Sequence, residues 1–408
     1  MNRGAVVALL SFLFYFTTIL GGEAPQPVET LVPPAEQASY EVLGQAAQIA
    51  LDAVTVRSAP SAQAEALGVI KKDTPRVLIL DKQDGWYRIR PSSGPTGWVP
   101  EHAVAITHTA PKLLDQIVLG FYEPGGAAYE TLLEHSDKLT AVAPLGWSLD
   151  SYGGLNAGFD PQEMGRSLYF AGNQELLTFA HVQLNHNPAP MLQSPALQRN
   201  AISRLGQIVE EWGVKGLILH LAYTPSAEQA ELFAFAAALR QELAARGGRL
   251  LLSLPFKDGL DYGAAAQAGD YLVLRSAPEL TEPGPSAAQP ELDRMLAEVT
   301  QAVQAGKIIL ALPTSGLDWP RAGQARVLSH AEVMELAAAQ GAKIRWDSAS
   351  LTPYFQYGNG REVWFENRYS LKQKLELVSK YKLAGTALVN LGQEDPAVWE
   401  SAAALLRS

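Results

Sequence analysis

From Lys112 onward the chain alternates near-continuous apolar runs with longer stretches of helical periodicity. The runs are Gln116–Tyr122, Lys138–Trp147, Leu176–Leu184, Val214–Ala222, Arg249–Phe256, Asp270–Ser276, Lys307–Pro313 and Gly385–Leu391, eight in all. Strands that are apolar on both faces belong to parallel sheets covered by helices. Eight such strands with intervening helices predict a parallel (β/α)8 barrel. The clearest helix spans Ser226–Arg246, with Ser226 as its cap, Gln229 three residues on, and Gly247-Gly248 as its stop. Before the last strand the pattern changes. An α+β insertion is expected there, in which Ile344–Glu366 reads as a hairpin-like stretch turning at Gly358-Asn359-Gly360. It is placed beside the C-terminal mouth, where barrel enzymes keep their sites.

The first hundred residues differ. Arg3 precedes an apolar run, Ala5–Leu20, followed by small residues at Gly22–Ala24. Residues 1–24 fit either a cleaved signal peptide or a membrane anchor, and both put the rest outside the cytoplasm. Residues 25–46 are rich in Pro, Glu and Ala and predict an extended linker. Residues 47–108 carry short strands with close turn signals, such as Asp84-Gly85, which predict a small all-β barrel.

Composition narrows the chemistry. The 408 residues suit a barrel plus a small module, and a hydrophobic share of 47% suffices for a large core. The net charge of −10 and the lack of a Lys/Arg cluster give no case for nucleic acid. There are no cysteines, so disulfides and thiolate chemistry are excluded. His181 and His186 are spaced without metal-site geometry, and no cofactor motif is present.

The small domain resembles bacterial Src-homology-3-type domains through V-x-V-R-S-x-P from Val54, D-G-W-Y-R-I from Asp84 and G-W-V-P-E-H from Gly97. That resemblance implies binding to cell-wall peptide or glycan. Residues 112–408 resemble family 18 glycoside hydrolases, in particular the branch of spore germination and cortex lysis. Leu119-Gly120-Phe121-Tyr122, Leu312–Trp319, Pro353–Tyr357, Glu362–Glu366 and Asn390-Leu391-Gly392 carry it, in order and spacing. The family's chemistry needs a glutamic acid to protonate the glycosidic oxygen and an aspartate to orient the substrate's acetamido group, in the pattern Asp-x-x-Asp-x-Asp-x-Glu on the fourth strand. In Gly213–Tyr223 the matching positions are Lys215, Ile218, His220 and Ala222. A Tyr-Asp pair implied after the sixth strand is Ala277-Pro278, the tryptophan implied on the last strand is Val389, and an aspartate after Trp-Phe-Glu is Asn367.

The expectation is therefore a non-catalytic relative. It would bind N-acetylated wall glycan, either peptidoglycan or a chitin-like polymer, or scaffold an envelope or spore complex through a protein partner. Trp147, Asp318, Trp319, Trp346, Tyr354, Trp364 and Glu366 are the candidate ligand contacts, since sugars stack on aromatic rings beside a few polar anchors. The alternative is an active glycosidase with relocated carboxylates, drawn from Glu123, Asp318, Asp347 and Glu366.

Overall fold

The computed structural model describes residues 41–107, 109–112, 116–222, 228–276, 282–321, 323–358 and 360–405. The signal or anchor segment, most of the linker, Ser226 and Ala277-Pro278 lie outside them. Among the described residues no helix is long and apolar enough to cross a membrane.

All eight apolar runs form barrel strands: β1 (Ile117–Tyr122), β2 (Ala141–Pro144), β3 (Ala180–Leu184), β4 (Gly216–His220), β5 (Arg249–Pro255), β6 (Tyr271–Arg275), β7 (Ile308–Pro313) and β8 (Gly385–Val389). Parallel pairing runs β3-β4-β5-β6-β7-β8-β1-β2. The ring closes through the short strand Leu177–Thr178, which pairs with β2 and leads directly into β3. Alternate strand residues face inward. Ile117, Leu119 and Phe121 of β1 therefore meet Ala141 and Ala143, Phe179, Ile218, Leu251, Val273, Ile309 and Ala387 in one interior cluster. The barrel is a packed core, open to chemistry only at its rim.

The helix expected over Ser226–Arg246 runs Gln229–Ala245, and its N-cap residue, Glu228, makes no side-chain cap bond. Gly247 stops it at a φ of 72°.

The insertion is larger than a hairpin. Gly316–Trp319, Arg326–Leu328, Arg345–Asp347, Thr352–Tyr357 and Arg361–Phe365 form a five-stranded antiparallel sheet. The helix His330–Ala339 covers one face, where Leu328, Val333, Ala337, Phe355, Val363 and Phe365 make a separate core.

Seven strands between Ala46 and Ile106 build the small β domain. The described end of the expected linker is not a free spacer: Val42 and Leu43 are buried, Ala46 opens the first strand, and Gly44 N–H donates to Ile79 O at 2.6 Å. This domain is also tied to the barrel. Arg76 donates to Leu133 O at 3.1 Å, Glu134 O at 2.9 Å and Ser136 Oγ at 2.6 Å. Arg90 pairs with Glu130 at 2.6 Å, and Asn173 donates to Leu43 O at 2.7 Å. Arg76→Ala strands three acceptors at once, so it is expected to cost about 1.5–3 kcal/mol of interface. Limited proteolysis should then cut faster between the two domains; an unchanged cleavage rate would contradict the docked arrangement.

Candidate functional site

The inward positions of the C-terminal rim follow from strand parity. Ile218 lies in the interior cluster, so His220 and then Ala222 continue on the same side. On β3 the inward series is His181 and Gln183, paired with Ile218 and His220. On β5 it is Ser253, beside His220, and on β6 it is Arg275, two residues beyond Val273. Val389 ends β8 and packs on the interior cluster.

These side chains touch. The His181 and His220 rings lie 4.9 Å apart at 54°, and the Phe121 ring meets His181 edge-on at 5.6 Å. Ser253 Oγ and His220 Nδ1 are 3.2 Å apart. Arg275 donates from one terminal nitrogen to Leu221 O at 3.0 Å, while its buried Nε has no acceptor. The inward positions named on β3 to β6 and β8 hold one cation, two imidazoles, an amide and a hydroxyl, with no carboxylate.

Burial, and after it the charge of Arg275, pushes His181 down to about 4 and His220 down to about 2. Both imidazoles are neutral at pH 7. Unfolded histidine takes up its proton near about 6.5, so the depressed folded values give stability that is present above that pH and lost as pH falls below it. The urea midpoint should therefore drop as pH falls from 7 to 4. His181→Asn should flatten part of that drop; an unaltered slope would show that His181 titrates freely in the fold.

The candidate residues do not all converge on the rim. Lys215 precedes β4 at its N-terminal end and is exposed, so it neither lines nor plugs the mouth. Trp147 pairs with Val182, which faces outward, and is buried against Phe159 at 4.6 Å and Trp212 at 5.8 Å. It is packing between barrel and helix.

Asp318 is buried, accepting from Arg361 Nη2 at 2.7 Å and from the Tyr357 hydroxyl at 3.0 Å. Glu366 is fully buried and held by Lys374 and by Ser370 Oγ at 2.7 Å, so its expected ligand contact does not fit its position. Asp347 is tied to Ser350 N–H at 2.9 Å. Asn367 has a local role: its side chain accepts from Tyr369 N and Ser370 N and caps the helix Arg368–Tyr381. Glu123 is exposed just past β1.

Register divides the insertion's aromatics between two faces. Leu317 opposes Trp364, Trp364 opposes Tyr354, and Trp319 opposes Glu362, so Trp319, Tyr354 and Trp364 share one face. Tyr354 and Trp364 stack at 4.6 Å and 13°, and both are half-buried. Trp319 is buried with its indole N–H lacking an acceptor. Trp346 opposes Pro353 on the other face, with 43% exposure.

Sequence reasoning missed Arg275, His181, Gln183 and Ser253 as rim residues. The signal was present: Tyr271–Arg275 is an apolar run ending on a cation at inward parity.

The fold is a (β/α)8 barrel with an α+β insertion before its last strand and a small β-barrel ahead of it. The model for glycosyl hydrolases family 18 matches residues 186–394, about half of the chain, and the chain belongs to that family. The bacterial SH3 domain model matches residues 52–105. Bacillus subtilis YdhD is 27% identical over 212 residues, covering 47% of this chain and 50% of that protein. The cortical fragment-lytic enzyme of Bacillus subtilis is 28% identical over 155 residues, covering 34% of this chain and 35% of the enzyme. The chain thus spans half or less of the length of these two relatives. A chitinase from Chromobacterium violaceum has the same fold, with a TM-score of 0.66 and 26% identity over 72% of this chain and 99% of that one.

Proposed function

We propose that the chain is a non-catalytic member of its family that holds N-acetylated cell-wall glycan outside the cytoplasm. The observation that carries this is the end of β4, where Ile218, His220 and Ala222 occupy the inward positions. Glycoside cleavage needs a proton donor beside the glycosidic oxygen. A methyl group donates none, and burial, followed by the charge of Arg275, pushes His220 down to about 2, so its imidazole is neutral at pH 7. Relocated catalysis is the weaker reading. Asp318 and Glu366 are committed to Arg361 and Lys374, and Asp347 to Ser350, which leaves Glu123, exposed just past β1, as the one uncommitted carboxylate of the four.

Glycan as ligand is supported by the relatives, one named a chitinase and one a cortical fragment-lytic enzyme. Tyr354 and Trp364, stacked and half-buried on one face of the insertion sheet, supply an aromatic surface of the kind on which sugars stack. The apolar run Ala5–Leu20 favours export, as signal or anchor. An envelope protein as partner would leave glycan retention unaffected by aromatic substitutions. The test is retention of the full chain on purified peptidoglycan and on chitin. Retention is expected, with Trp364→Ala weakening it about tenfold, in line with about 1–1.5 kcal/mol for an aromatic contact. No retention on either polymer would remove the glycan reading.

A further inference from the structure

We propose that Arg275 makes the barrel mouth a site for a carboxylate-bearing sugar, an inference that rests on reading the mouth as a glycan site. Arg275 ends β6 at inward parity, two residues beyond Val273, which is in register with Ser253 and through it with His220. A guanidinium presents five N–H donors in a fixed fork and keeps its charge inside proteins. Among the described residues one acceptor meets it, the Leu221 carbonyl, and the buried Nε meets none. Among the described residues Arg275 makes no ion pair, and the rings beside it, His181 and His220, are held neutral by burial. The Ser253 hydroxyl is already engaged by His220.

A half-buried cation whose Nε is sealed from water and that has no counter-charge carries a desolvation cost. That cost is offset when an anion arrives, and the planar fork fits a carboxylate through two parallel bonds. The mouth of a barrel is where a ligand ring would sit. Among wall sugars, muramic acid differs from glucosamine by a lactyl ether whose carboxyl is a free carboxylate wherever no stem peptide is attached. With His220 and Ala222 at the inward end of β4 and Arg275 at that of β6, the charge at these rim positions is positive, which favours an anionic sugar.

The experiment titrates the full chain with N-acetylmuramic acid, N-acetylglucosamine, D-alanyl-D-alanine and inorganic phosphate, followed by NMR shifts of the His181 and His220 ring protons. N-acetylmuramic acid should bind at least tenfold tighter than N-acetylglucosamine. Arg275→Gln should erase that preference without lowering the melting temperature, because it removes an unpaired charge. Arg275→Lys should keep a reduced preference, which separates loss of charge from loss of fold. Equal binding of the two sugars overturns the proposal, as does an unaltered preference in Arg275→Gln or no binding of any probe. Tighter binding of the dipeptide or of phosphate overturns the sugar assignment. If bond cleavage were found while the preference held, only the non-catalytic reading would fall. If chitin were retained without the preference, only this inference would.

Discussion

Replacing Lys374 with methionine will destabilise the barrel by about 3–5 kcal/mol, the usual result of removing one partner from a buried ion pair. Lys374 and Glu366 are both fully buried, and the ammonium contacts both carboxylate oxygens. Burial favours the uncharged lysine, and the Glu366 charge opposes it. Removing the ammonium leaves Glu366 inside the protein with Ser370 Oγ as its remaining side-chain donor. The double variant Lys374→Met with Glu366→Leu should recover most of the loss, because an apolar pair of similar volume carries no desolvation penalty. Urea unfolding of the two variants checks this. A single variant as stable as the parent would mean that the pair is open to water.

Gly385→Ala is expected to have a comparable effect for a different reason. Gly385 begins β8 at a φ of 157°, opposite Ile117 of β1. A Cβ there would lie 2.0 Å from the Ile117 carbonyl oxygen, which is backbone and cannot rotate away. A Cβ on Gly216, at the start of β4 with a φ of 149°, would meet the Arg249 carbonyl oxygen at the same 2.0 Å. The strained backbone alone costs about 1–3 kcal/mol, and relieving the clash also pushes apart a hydrogen-bonded pair of strands. Gly165→Ala is the control, since its Cβ meets nothing within 4 Å and it lies inside the helix Pro161–Asn173. It should be neutral or gain up to about 1 kcal/mol. Equal melting temperatures for Gly385→Ala and Gly165→Ala would contradict the close approach at the β8–β1 seam.

The barrel was legible because parallel strands buried on both faces leave continuous apolar runs, and each run contains its strand. The rim was legible only where a strand could be read beyond its end. On β4, parity from Ile218 carries through to His220 and Ala222. The same argument would have excluded Lys215, which has the opposite parity and lies at the other end of the strand. Trp147 misled because an aromatic at a strand end looks alike whether it faces rim or helix; its register with Val182 decides, and register is not visible in one sequence. Asp318 and Glu366 misled because their partners, Arg361 and Lys374, are supplied by the insertion sheet and by the following helix. Arg275 went unnoticed because its importance lies in the acceptors it lacks, which only packing displays.

The central claim is that this barrel holds glycan without cutting it. The most direct measurement incubates the full chain with purified peptidoglycan and with chitin, and quantifies bound protein and newly formed reducing ends in the same sample. Retention with reducing ends at the level of a protein-free control is the predicted result. Reducing ends that accumulate in proportion to the protein added would contradict it, whether or not they persist in His220→Asn.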